Sequence, residues 1–566
     1  MYGKGSSKHF SLILRAQVII AGAAIMVLEL LGSRLLAPYY GSTLFVWGSL
    51  IGVVLLGLAT GYFFGGKKSD ANASYREFSS LIFLTGIYTL FITYAAPMLF
   101  QVAIALRLGE RYGPLAASIL FLAVPSFLLG GIAPYAIKLS TKSLDRVGTT
   151  SGNLYSLSTV GSILGTFLTT FILIPELGVN TILYALSSIL IMASLFGLAA
   201  RLKVAGIILI AVSIGFAFAP QIPSGGVVFQ KETLYHKLVI QDDAITGIRT
   251  MLLDNNFHSG MDLRDPDRIV YIYTAFFHVA FAYNPKIENM LFVGGGGFSA
   301  PKKFLKDYPN ASIDVVEIDP EVVQAAKVYF FVEENPKLHA YAEDGRVFLS
   351  RNNKKYDLIV LDAYARTYIP FHLMTKEFLT LVDSRLTENG VVVSNVIASL
   401  SGDASGLFRS ELRTMESVFP RVDIYPVSGD GSQVQNIIVI ATRSSNDLST
   451  AALRARAAGI VKLPRISEYI ENELKVNPNV DDVPVFTDDF APVENFLNPL
   501  TGRTYVKEIE FANKTLASVV QTMNPSKESV RFELPSVIIM VVVASVGFIT
   551  LAVRSRKSGR DFANHY

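Results

Sequence analysis

The chain contains no cysteine and only one tryptophan. Without cysteine there are no disulfides, no thiolate metal sites and no thiol catalysis, while the compartment stays undetermined. Charge is scarce too: 17% of residues are charged against 51% hydrophobic, and the mean hydropathy is +0.40. That balance suits a membrane protein. None of His236, His258, His278, His339 or His372 falls at metal-ligand spacing, so no metal is expected. No lysine follows the central glycine run at Walker spacing, which argues against a nucleoside triphosphate. Internal repeats and low-complexity tracts are absent as well.

The charge is divided unevenly. Residues 221–533 hold 32 Lys and Arg against 40 Asp and Glu, leaving 18 basic and 7 acidic residues of the 50 and 47 for the rest. An acidic soluble region without a basic patch gives no support to nucleic-acid binding. The basic remainder holds seven apolar segments, at about 15–37, 44–65, 78–105, 114–138, 150–174, 179–200 and 204–220. Each approaches the ~20 residues a helix needs to cross a bilayer. The first holds Glu29 and Arg34 and leads directly into further spans, so it reads as no cleaved signal. An eighth segment, Leu534–Val553, ends in Arg554, Arg556 and Lys557 and reads as a C-terminal anchor. With the N-terminus inside, the cytoplasmic face collects fifteen Lys and Arg, the other face only Arg107 and Arg111. Seven spans then put the soluble region outside the cytoplasm, whereas a cofactor made in the cytoplasm argues for the inside.

The soluble region is organised around Met290–Asp362. An apolar strand runs into Gly294-Gly295-Gly296-Gly297, a helix-like segment follows, and a second strand ends at Glu317. After another helix and the turn Glu343–Arg346, a third strand carries Asp362 near its end. Strands alternating with helices imply parallel pairing in a doubly wound sheet, whose ligands lie beyond the carboxyl ends of the strands. Glycines between strand and helix let the backbone approach a ligand. Glu317 follows Gly294 by 23 residues, close to the ~20-residue offset of a ribose-binding acid. Asp344 is placed to meet an adenine amino group. Together these residues describe an adenosine site, with a nicotinamide cofactor still open on this pattern alone. Before the core, Lys231–Gln241 and Gly247–Asp254 read as strands, followed by a helix over about Ile269–Tyr283.

The order of these signals, with Tyr273-Thr274, Ile369–Leu373 and Thr487–Pro492, resembles the spermidine synthase family of polyamine aminopropyltransferases. Ser33–Tyr39 extends the resemblance to a branch with a multi-span N-terminal region. The resemblance implies an α/β, Rossmann-like, doubly wound sheet of methyltransferase type with an N-terminal β-hairpin region, fused to an α-helical transmembrane bundle. It divides the chain into a bundle (1–220), a β-hairpin part (221–285), the nucleotide-binding domain (286–533) and the anchor with its basic tail (534–566). Gly294, Gly295, Gly296 and Glu317 would hold decarboxylated S-adenosylmethionine, Asp344 and Gly345 its adenine, and Asp362 would take the proton of the attacking amine. His258 stands where the family has a glutamine.

Several positions depart from the family. Gly297 replaces an amine-binding aspartate, and Asp362-Ala363-Tyr364-Ala365 lacks the second aspartate of the family's segment. Arg366 adds a positive charge beside the site. Tyr364 and His372 are candidate substrate contacts, and Asp488 and Asp489 are candidates to replace the lost acids. The leading expectation is a membrane-bound transferase moving an aminopropyl group to a polyamine or another amine. One alternative is S-adenosylmethionine-dependent transfer, for instance of methyl groups, to a membrane-delivered substrate. Another is a non-catalytic nucleotide-binding or transport module. Expected partners are the amine, the bilayer and, as an open case, a second copy of the chain.

Overall fold

The computed structural model describes residues 4–106, 108–141, 143–217, 225–363, 369–428, 431–444, 448–500, 504–510 and 516–522, all within one compact unit, residues 1–524. The expected anchor Leu534–Val553 lies outside the described residues, as does Tyr364.

Seven helical stretches form the N-terminal bundle: α1 Lys4–Tyr40, α2 Leu44–Ala71, α3 Tyr75–Ala105, α4 Arg111–Ser140, α5 Leu144–Glu176, α6 Val179–Ser194 and α7 Ala200–Ala217. All but α6 contain a stretch long and apolar enough to cross a bilayer, and α6 is a shorter apolar helix. They coincide with the seven expected segments. Small residues on α5 let it lie directly against α1. A Cβ on Gly161 would stand 2.1 Å from the Ile19 carbonyl, and one on Gly165 2.6 Å from that of Ala23. Contacts also fix the bundle's two ends. Gln17 of α1 donates to the Ala193 carbonyl at 2.7 Å, Tyr135 to Glu77 at 2.8 Å, and Lys138 pairs with Asp70 at 2.9 Å. The opposite end holds Tyr40, which packs on Gly113, and Arg34, whose guanidinium donates to the carbonyls of Thr233 and Leu234. Arg34 thus ties α1 to the soluble part. The α/β region therefore sits at the end where α1 finishes.

That region begins with an antiparallel sheet of four strands in sequence order, β1 Val227–Glu232, β2 Lys237–Asp242, β3 Ile248–Leu253 and β4 Asn256–Asp262. The single strand expected over Lys231–Gln241 is broken. The Thr233 hydroxyl accepts from the amides of Tyr235 and His236, turning the chain there. The helix expected over Ile269–Tyr283 is likewise divided into short turns, Tyr273–Phe276, Phe277–Val279 and Ala280–Tyr283.

The central sheet comprises β5 Asn289–Val293, β6 Ser312–Glu317, β7 Leu338–Ala342, β8 Tyr356–Leu361, β9 Leu386–Ala398, β10 Arg421–Pro426 and β11 Gln435–Thr442. Its order is β10-β11-β9-β8-β5-β6-β7, parallel from β7 to β9, with β11 running antiparallel to both β9 and β10. This is the Rossmann-like sheet of the methyltransferase type. Strands β5 and β8 are apolar almost throughout because both faces are covered, and two buried clusters fill the space on either side. The strand order reverses around β5, so the crevice for a ligand opens between β5 and β8. Helices leave the strands through capped turns. Asp319 caps α8 (Pro320–Tyr329), accepting from the amide of Glu321, with Pro320 in the first turn. Asp344 caps α9 (Gly345–Arg351). A last hairpin, β12 Thr504–Glu510 with β13 Leu516–Thr522, touches the sheet at Val434 and Tyr505.

Candidate active site

The bend after β5 needs glycine for a specific reason. Gly294 has φ +97°, and a Cβ there would stand 2.2 Å from the carbonyl oxygen of Asp362. The bend thereby packs against the end of β8. The following amides, of Gly295 and Gly296, both donate to one oxygen of the Glu317 carboxylate at 3.0 Å. Glu317 is buried and points into the bend, where a ribose edge would meet it. Gly297 donates to the Ser259 hydroxyl at 2.8 Å. A Cβ at Gly297 would come within 2.8 Å of both Ser259 and Phe330, so the position is closed to a side chain.

Beyond β7, Asp344 accepts from the amides of Arg346 and Val347 with one oxygen. Its other oxygen lies 2.9 Å from His372, and that bond holds the carboxyl below its usual range. His372 and Asp344 thereby border the same end of the crevice. Asp488 does not turn toward the crevice. Arg346 takes its carboxylate, and the Thr375 hydroxyl donates to it at 2.7 Å. Asp489 is exposed and lines no part of the cavity. These two acids therefore do not stand in for the acids missing at Gly297 and Ala365.

Asp362 follows β8 and is held from two sides. Asn395 donates to one oxygen at 2.8 Å and the Tyr273 hydroxyl to the other at 3.2 Å. Behind Asn395 runs a polar chain: Asn436 donates to Asn395 at 2.8 Å, and Tyr505 to Asn436 at 2.6 Å. Burial pushes the Asp362 carboxyl up to about 6, against the two hydrogen bonds and the nearby Lys507, which pull it down. A carboxylate in that range is ionised near neutrality yet basic enough to accept a proton. Tyr273, raised well above the usual phenol range by burial and by Asp362, remains a donor.

Tyr273, Gly294, Gly295, Gly296, Glu317, Asp344, Asp362, His372 and Asn395 all border one cavity of about 530 Å³, whereas Gly297, Asp488 and Asp489 do not line it. Its wall includes His258, whose imidazole burial pushes down to about 3, so it is neutral. His236 lies beside it, bonded to Asp254 at 2.8 Å; that carboxylate outweighs burial and leaves the imidazole raised. The wall is completed by the N-terminal helical bundle, through Leu30, Arg34, Ala37, Trp47, Thr170 and Ile174. Sequence reasoning missed that contribution, together with Asn395 and Lys507. Asn395 had a visible signal, a polar residue inside the apolar run of β9. Lys507 had a weaker one, a lysine on the buried side of the Tyr505–Lys507–Ile509 alternation. Among the described residues no cluster of three or more His, Asp or Glu could hold a metal ion.

Sheet order and crevice define a Rossmann-like domain with the methyltransferase-type fold. Residues 272–429 match the family model of the spermine/spermidine synthase domain. A polyamine aminopropyltransferase of Vibrio vulnificus is 37% identical over 163 residues, which is 28% of this chain and 53% of that protein. One from Alkaliphilus metalliredigens is 29% identical over 202 residues, 35% of this chain and 69% of that protein. The chain thus spans about half to two thirds of the length of these relatives. Among solved structures, a probable spermidine synthase from Corynebacterium glutamicum aligns over 47% of this chain and 100% of its own, at 19% identity and TM-score 0.36.

Proposed function

We propose that the chain is a membrane-bound transferase that moves an aminopropyl group from decarboxylated S-adenosylmethionine to an amine. The observation that carries this reading is the placement of Asp362, fixed by Asn395 and Tyr273, on the same cavity as the Glu317-bearing glycine bend. The relatives' names supply the reaction class. The donor's adenosine would lie with its ribose at Glu317 and its base toward Asp344 and Gly345. That brings the sulfonium and its aminopropyl arm toward Asp362.

The step then follows from charge and geometry. An ammonium has no lone pair, so the acceptor must first give a proton to Asp362. Its nitrogen attacks the carbon beside sulfur, a C–N bond forms, and the C–S bond breaks with its electron pair going to sulfur. Methylthioadenosine leaves, neutral at sulfur. Because the leaving group discharges itself, orientation matters more than acid catalysis. In the test, Asp362→Asn is expected to bind methylthioadenosine as wild type does and to release none from the donor. Release at the wild-type rate overturns the reading.

A second reading, transfer from S-adenosylmethionine itself, is favoured by one observation. Gly297 is closed to a side chain, so no acid there selects the decarboxylated donor's amine. Turnover measured with each donor separates the two. Inertness with both favours the non-catalytic binding module.

The proposal also includes a side for the domain. Lys67, Lys68, Arg76, Lys138, Arg146, Arg201 and Lys203 belong to helix ends at the face away from the catalytic region, which supports an extracytoplasmic domain. Since the chain lacks cysteine, single replacements report the side cleanly. In intact cells an impermeant maleimide is expected to label Ile245→Cys but not Leu144→Cys; the reverse pattern places the domain in the cytoplasm. Both positions are strongly exposed, at 95% and 90%.

A further inference from the structure

The crevice already contains a cation. Lys507 is buried on β12, with its ammonium 3.6 Å from the centre of the Tyr271 ring and 5.8 Å from that of Tyr273. It also donates to the Phe257 carbonyl at 3.2 Å. Tyr273 is the residue whose hydroxyl holds Asp362, so this aromatic seat adjoins the position of the attacking amine. Both Lys507 and Asp362 border the cavity.

The carboxylates around the cavity point the same way. Among the described residues they are Asp254, Glu317, Glu343, Asp344 and Asp362. Asp254 is bonded to His236 at 2.8 Å, Glu343 to Arg351 at 2.8 Å and Asp344 to His372 at 2.9 Å. Glu317 is committed to the glycine bend. Only Asp362 faces an incoming ammonium with a proton-transfer role to fill, and Arg34 contributes a further positive charge to the wall. A second ammonium would meet Lys507 in the aromatic seat and no carboxylate in reach. The bundle adds an apolar strip of Leu30, Ala37, Trp47 and Ile174 to the wall, interrupted by Ser33, Ser42 and Thr170.

Building on the aminopropyl-transfer reading, we infer that the acceptor is a monoamine with an apolar body, which lies against the bundle wall while Lys507 fills the place of a second cation. Like charges confined in a cavity of low dielectric repel strongly, so a diamine is disfavoured in binding rather than in chemistry. The selection should therefore appear in KM.

The test uses the full-length chain in detergent micelles, with decarboxylated S-adenosylmethionine as donor and methylthioadenosine release as readout. The probes are n-octylamine and 1,4-diaminobutane. For wild type, KM for octylamine is expected to be about tenfold or more below that for diaminobutane, the scale of one unfavourable charge contact. Lys507→Met should bring the two KM values together or invert them, and Lys507→Arg, which keeps the charge, should retain the wild-type preference. A wild-type preference for diaminobutane, or no change in the ratio on removing the charge, overturns the inference and leaves aminopropyl transfer standing. Release of methylthioadenosine with neither amine overturns both.

Discussion

The two halves of the cavity are built by different means. The half proposed to hold the nucleotide comes from a single run of chain, from the bend at Gly294 through Glu317 to Asp344, and its geometry is set by backbone constraints: a positive φ, two amides on one carboxylate, a helix cap. The half proposed to take the acceptor is assembled from α1, α2, α5, Tyr273, β9, β11 and β12, drawn from across the chain. Local geometry fixes the first half. Long-range packing fixes the second, which leaves it free to differ while the nucleotide site stays the same.

Substitutions should separate the halves. The largest effect is expected at Asp362: in Asp362→Asn, turnover should fall about 10³-fold, the scale of losing a general base, while methylthioadenosine affinity stays within about twofold of wild type, since the base adds little to ground-state binding. At Gly294, Gly294→Ala should damage both halves, because its Cβ collides with the Asp362 carbonyl. A loss of about 3 kcal/mol in unfolding free energy is expected, read by thermal denaturation in micelles. Glu317→Gln should confine its effect to the nucleotide half, weakening methylthioadenosine binding by about 1.5–3 kcal/mol, the worth of hydrogen bonds to a charged group, as read by calorimetry. Equal damage to binding from Asp362→Asn and Glu317→Gln would erase the distinction.

The pH profile sharpens the same contrast. Asp362 acts only when ionised, and burial has raised it to about 6, so kcat/KM should fall about tenfold for each unit of pH below that value. Nucleotide affinity should not follow that limb. The stability linkage has the opposite sign to that of an ordinary salt-bridged acid. A carboxyl raised in the fold favours folding at low pH, and that contribution is lost as pH rises through about 6. The smallest effect belongs to Asp488, whose carboxyl the Arg346 pair holds below its usual range. Its contribution is present above the ordinary aspartate range and fades as pH falls through the lowered value. Being exposed, the pair is worth about 0.5 kcal/mol, and Asp488→Asn should shift a denaturation midpoint only slightly.

The same division explains what the sequence could tell. Glycines at a strand end, an acid at the expected offset and continuous apolar strands are local signals, so the order of β5, β6 and β8 and the seven apolar helices were legible. Strand β7 was not read, because Leu338–Ala342 is a largely exposed edge strand with only weak apolar patterning. Strand β12 was missed because its lysine on the apolar side mimics a polar loop, and that lysine is held there by the Phe257 carbonyl and the Tyr271 and Tyr273 rings, which come from far along the chain. Asp488 and Asp489 looked like spare acids for the site, but Arg346 and Thr375, more than a hundred residues away, claim the first. The part played by Leu30, Trp47 and Ile174 could not be seen at all, since in a membrane helix an apolar residue facing a cavity looks like one facing lipid.

The most direct measurement is a calorimetric titration of methylthioadenosine into the intact chain, wild type, Glu317→Gln and Asp362→Asn, in one detergent. Saturable binding that weakens with Glu317→Gln and persists with Asp362→Asn is the expected result. No binding to wild type, or binding indifferent to residue 317, would contradict an adenosine site at the glycine bend.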